Sequence, residues 1–111
     1  MNTHITTSHG SDFYGLDTYT VTVLHDLGQH LRGVLPSADH PPLTRILDAA
    51  GQGQLIVEPD QAALLAILLR RAATHRSLKT AHSKVAMRLG IAAASAARAG
   101  EIWTWNLGSG Q

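Results

Sequence analysis

Eight consecutive apolar residues, Ala62-Ala63-Leu64-Leu65-Ala66-Ile67-Leu68-Leu69, stand near the middle of a chain of 111 residues. Ala and Leu are the strongest helix formers, and Ile67 is the sole β-branched residue of the eight, so the run predicts a helix. Glu58 occupies the N-cap position, Pro59 suits the first helical residue and Asp60 complements the helix dipole. Arg70, Arg71 and Arg76 follow at the opposite end. A surface helix carries one apolar stripe; this segment is apolar almost all round, which predicts burial on several sides, within the protomer or in an oligomer. The run is too short to cross a bilayer, so no membrane span is expected.

The length bounds the answer to one domain, read here as residues 1–107 with a flexible tail at 108–111. There is no cysteine, which excludes disulfides, thiolate nucleophiles and thiolate metal sites. The first residues lack a basic segment followed by an apolar core, so no signal peptide is expected and a cytoplasmic location is inferred. The net charge of +1 conceals an asymmetry. Before Pro59, Asp12, Asp17, Asp26, Asp39, Asp48 and Glu58 face Arg32 and Arg45, for −4. From Pro59 onward, Arg70, Arg71, Arg76, Lys79, Lys84, Arg88 and Arg98 face Asp60 and Glu101, for +5. Such halves compensate internally, pair head to tail between copies, or present a basic surface to an anion.

Elsewhere the pattern alternates between strand and helix. Residues 3–8 read as a short polar strand that enters a loop, His9-Gly-Ser-Asp-Phe-Tyr-Gly15. Val21, Leu24, Leu27, Leu31 and Val34 or Leu35 recur at helical spacing, with Asp17 or Thr18 as the expected N-cap and Pro36 as the stop. A shorter helix is expected over 42–50, with Leu43, Ile46 and Leu47 inward, ended by Gly51 and Gly53. Gln54–Glu58 reads as a brief strand. A long helix is expected from about Leu78 to Ala99, with Leu78, Ala81, Val85, Leu89, Ala92 or Ala93, and Ala96 inside and Lys84, Arg88, Ser95 and Arg98 outside. Its alanines permit close antiparallel packing on the central helix, and Gly100 is its C-cap. Ile102–Leu107 alternates with period 2, placing Trp103 and Trp105 on one face of a last strand, as core pieces. The expected fold is α+β: three to four helices around the central helix (about 59–76), with a two- or three-stranded sheet pairing the N- and C-terminal strands.

Four blocks, Ser8–Gly15, Leu35–Asp39, Ala73–Arg76 and Trp103–Trp105, resemble a family of small single-domain proteins of streptomycetes and related actinobacteria with no assigned activity. The resemblance implies a cytoplasmic bacterial domain, of the kind carried by phages or mobile elements, and transfers no mechanism.

Three functional readings follow. The leading one is a non-enzymatic binding or regulatory module, homo-oligomeric, acting through a protein partner or a small phosphate-bearing ligand such as a nucleotide. The ligand site would be His9, Gly10, Ser11 and Asp12, whose loop can expose backbone N–H groups to an anion, with Arg76 as cation. A second is a small hydrolase or transferase with His9 as base oriented by Asp12. A third is nucleic-acid binding through Lys84 and Arg88 on phosphates. Seven histidines raise the question of a metal, but none forms an i, i+4 pair and there is no His-Glu-x-x-His motif. No metal and no cofactor are expected, and no residue is assigned a catalytic role.

Overall fold

Period-2 burial along the two ends of the chain builds the sheet. The structure is a computed structural model that describes residues 4–9 and 16–108. Strand β1 (His4–Ser8) pairs antiparallel with β2 (Leu16–Thr20) on one side and with β4 (Trp103–Gly108) on the other. A short β3 (Leu55–Val57) closes the far edge, giving the order β2-β1-β4-β3 with every neighbour antiparallel. The N- and C-terminal strands therefore lie side by side, as expected. Register puts Thr7 opposite both Asp17 and Trp105, and Ile5 opposite Tyr19. Ile5, Thr7, Asp17, Tyr19, Val57, Trp103 and Trp105 are all buried, whereas Thr18, Ile56 and Asn106 are exposed. One face packs on helices and the other meets solvent, the usual economy of an antiparallel sheet.

Four helices cover the inner face: α1 (Val21–Leu31), α2 (His40–Ala49), α3 (Pro59–Ala73) and α4 (Thr80–Ala99). Asp17 and Thr18 do not cap α1, as their residue types suggest; they lie within β2. The strand runs into the helix without a loop, because Thr20 ends β2 and accepts the Val23 N–H at 3.2 Å as the cap. Leu-Asp-Thr-Tyr-Thr holds three good β formers, and pairing with β1 outweighs the capping preference of Asp17. Leu43, Ile46 and Leu47 of α2 are buried as expected.

α3 and α4 form the main helical hairpin. Thr74 closes α3 by donating its hydroxyl to the carbonyls of Arg70 and Arg71. The Ser83 hydroxyl donates back to the Ala73 carbonyl across the turn. Close approach needs Gly90. A methyl there would stand 3.2 Å from Arg70 Cγ and 3.4 Å from Leu69 Cβ. Leu65, Leu68 and Leu69 are buried, each stabilising by roughly 1.5–3 kcal/mol. Leu64 and Ile67 are exposed, so α3 is buried on one side and not all round. Ala81, expected inside, is exposed at the start of α4, while Leu89, Ala92, Ala93 and Ala96 are buried. Gly100 ends α4 in the left-handed conformation, φ 67°.

Candidate functional site

Asp17 and Tyr19, two residues apart on β2, share the inner face of an edge strand and look toward α4. The Asp17 side chain is 1% exposed and accepts a hydrogen bond from Arg88 Nη2 at 2.6 Å. The Arg88 guanidinium also lies over the Tyr19 ring, 5.5 Å from its centroid. The hydrogen bond to Asp17 holds Arg88 still more firmly in its charged form. Burial, and next the Asp17 charge, push the Tyr19 phenol above its ordinary range. This ionic pair joins one base of the C-terminal half to one acid of the N-terminal half.

Beyond the pair lies a cavity of about 180 Å3 lined by His9, Asp17, Arg88, Ile91, Ala92, Ser95 and Arg98. His9 follows β1 with φ 58°, a left-handed backbone that costs a residue with a Cβ about 1 kcal/mol or more. Its Nε2 lies 3.8 Å from Glu101 Oε1, just past α4. Trp103 Nε1 donates to the Ser8 carbonyl and Ser8 Oγ accepts from Thr104 N–H, so the base of this corner is tied to β4.

The expected ligand set is not assembled as drawn. Gly10, Ser11 and Asp12 lie outside the described residues, and with them the His9–Asp12 dyad of the enzymatic reading. Arg76 sits in the turn ahead of α4, whereas His9 meets Glu101 beyond its other end. Arg76 is not among the residues lining the cavity that His9 shares with Arg88, Ser95 and Arg98. Arg98 and Arg88 are the cations beside His9. Of the two residues of the nucleic-acid reading, Lys84 is exposed and Arg88 is engaged by Asp17.

A second feature runs along the outer face of the α3–α4 hairpin. A groove of about 450 Å3 is lined by Ala63, Ala66, Ile67, Arg70, Ala94, Ala97 and Arg98. It continues into a depression of about 370 Å3 that adds Met87 and Ile91. Ile67 is 57% and Ile91 53% exposed. Neither Arg70 nor Arg98 meets a carboxylate among the described residues. The apolar surface of α3 was visible in the sequence; that part of it faces outward was not.

A third cluster joins residues that sequence spacing kept apart. The rings of His30 on α1 and His82 on α4 stack with centroids 4.3 Å apart. Burial, then the neighbouring His30, lowers the pKa of His82, with Asp26 opposing and Lys79 assisting. Among the described residues, no group of three histidine, aspartate or glutamate side chains is placed to hold a metal ion, and no helix is long and apolar enough to cross a membrane.

Residues 10–106 match the DUF7739 family, a domain of unknown function, and the chain belongs to that family. No curated protein and no solved structure matches it.

Proposed function

We propose that this chain is a non-enzymatic binding module that receives a helix of a protein partner in the outer groove of the α3–α4 hairpin, and that the partner helix is amphipathic and acidic. The observation that carries the reading is an apolar floor between two cationic side chains. Ala63, Ala66, Ala94 and Ala97 keep the floor low, Ile67 and Ile91 stand up from it, and Arg70 and Arg98 border it. Two packed helices with a shallow apolar seam accept a third through anchors at i, i+3, i+4 and i+7. The border selects the sign of the partner: α4 has no acidic residue, and α3 has only Asp60 in its first turn. Complementary charge raises the rate and specificity of such docking.

The test is fluorescence anisotropy with a synthetic helix bearing a Leu/Ala stripe and Glu on its other faces, against the same helix with Lys for Glu. The acidic helix binds the full chain, and Ile67→Glu and Arg98→Gln each weaken it. Equal binding of the two helices, or of neither, contradicts the reading.

A second copy of the chain is the other candidate partner. Asp60 lies on the same α3 stripe as Leu64 and Ile67, so a two-fold pairing of α3 with itself brings Asp60 toward the Arg70–Arg71 end of the other copy. The excess of arginine over acid on this face disfavours that self-pairing. Light scattering across a concentration series distinguishes the two, since a homodimer doubles the measured mass without added peptide.

A further inference from the structure

We propose that the cavity between the end of β1 and the last turns of α4 binds a phosphate group, held by Arg98, Ser95 and His9. The phosphate reading does not depend on the docking groove, although Arg98 and Ile91 border both.

Charge sets the sign of the ligand. The lining contains Arg88, Arg98, His9 and a single carboxylate, Asp17. That carboxylate and Arg88 are paired at 2.6 Å and offset each other, so Arg98 sets the sign of the cavity. Arg98 brings a guanidinium with no carboxylate among the described residues to meet it. Ser95 adds a hydroxyl donor one turn away on the same helix. His9 approaches from the opposite wall, and its left-handed backbone fixes the direction of approach. Glu101, at 3.8 Å from Nε2, keeps a carboxylate beside that ring at the rim.

Geometry narrows the class further. A carboxylate presents two oxygens in one plane and is best matched by a single guanidinium fork. Here the donors come from two elements and at least two directions, an arrangement that suits the tetrahedral spread of phosphate oxygens. Ile91 and Ala92 supply an apolar side wall, against which a fragment attached to the phosphate can pack. The volume of about 180 Å3 accommodates the phosphate group together with a small attached fragment.

The experiment is an NMR titration of the full chain with inorganic phosphate, and separately with phenyl phosphate, at constant ionic strength against sodium chloride. Saturable shifts at His9, Ser95 and Arg98 are expected. Arg98→Gln weakens binding by about tenfold or more, the loss of one charge-assisted contact. Arg76→Gln, in the exposed turn ahead of α4, leaves binding unchanged. Tighter binding of phenyl phosphate assigns the site to a phosphomonoester, and tighter binding of inorganic phosphate to the free ion. Shifts reproduced by chloride, shifts that fail to saturate, or equal weakening by the two arginine variants overturn the proposal.

Discussion

Arg88 reaches from the middle of α4 to Asp17 on β2, and the two residues, 71 positions apart in sequence, meet at 2.6 Å with the carboxylate sealed from solvent. No local pattern announces this contact, yet it joins the edge strand to the helix that lines both candidate sites. Removing one member of a fully buried ion pair costs about 3–5 kcal/mol. Arg88 is half exposed, so Arg88→Met is expected to cost roughly 2 kcal/mol, with Asp17→Asn costing less because the amide keeps the shape without the charge. Urea unfolding of both variants and of the double variant measures this. Strong non-additivity is expected in the cycle; an Arg88→Met variant as stable as the parent would contradict a structural role for the pair.

The hairpin seam makes a second expectation. At Gly90 a single methyl is tight against Arg70 Cγ and Leu69 Cβ, but alanine also gains about 1 kcal/mol of helix propensity. Gly90→Ala should therefore be close to neutral. Gly90→Leu cannot be accommodated without parting α3 from α4, at a cost of about 1–3 kcal/mol. Thermal unfolding of the pair checks the contrast, and equal melting temperatures would show that the seam is loose.

Acid should weaken the fold through the His30–His82 stack. Burial and the facing imidazole lower the pKa of His82 in the folded chain, against the opposing Asp26. The unfolded chain then binds the proton more readily, so stability is full above about pH 6.5 and declines as pH falls through the window between the unfolded and folded values. Denaturation midpoints across this range, compared between the parent and His30→Gln, report the effect. The variant should lose part of the pH dependence, and an unchanged slope would remove the stack as its cause.

Because Arg98 borders both the groove and the polar cavity, occupation of one should oppose the other. Phosphate at saturating concentration is expected to weaken the acidic helix several-fold, and the helix to weaken phosphate by the same factor, as linkage requires. Anisotropy with and without phosphate at fixed ionic strength measures the coupling. No change in affinity would mean that Arg98 serves one site alone.

Much of this architecture was legible in the chain. Helical spacing located α1 and α2, the Ala/Leu run located α3, and the small-residue stripe ending at Gly100 located α4. Alternation around Trp103 and Trp105 gave the last strand and its pairing with the first. β2 was not legible, because Asp17 and Thr18 are good capping residues and the strand passes into α1 without a turn. The all-round apolarity of α3 could not distinguish a buried rod from one with an open seam, since Ile67 and Leu65 have the same chemistry and differ only in what packs on them. Site reasoning suffered more. Arg76 was grouped with His9 on charge alone, whereas the cations lining the cavity beside His9 are Arg88 and Arg98. Ser95 and Arg98, read as an outward face, carry the cavity instead, and the meeting of His30 with His82 depends on how α1 crosses α4.

The most direct test of the central claim is amide chemical-shift mapping of the full chain with the acidic Leu/Ala helix. Perturbations are expected to concentrate at Ala63, Ile67, Arg70, Ile91, Ala94 and Arg98, with β2 and β3 silent. A perturbation centred on the sheet, or absent altogether while the helix remains folded and in excess, would contradict it.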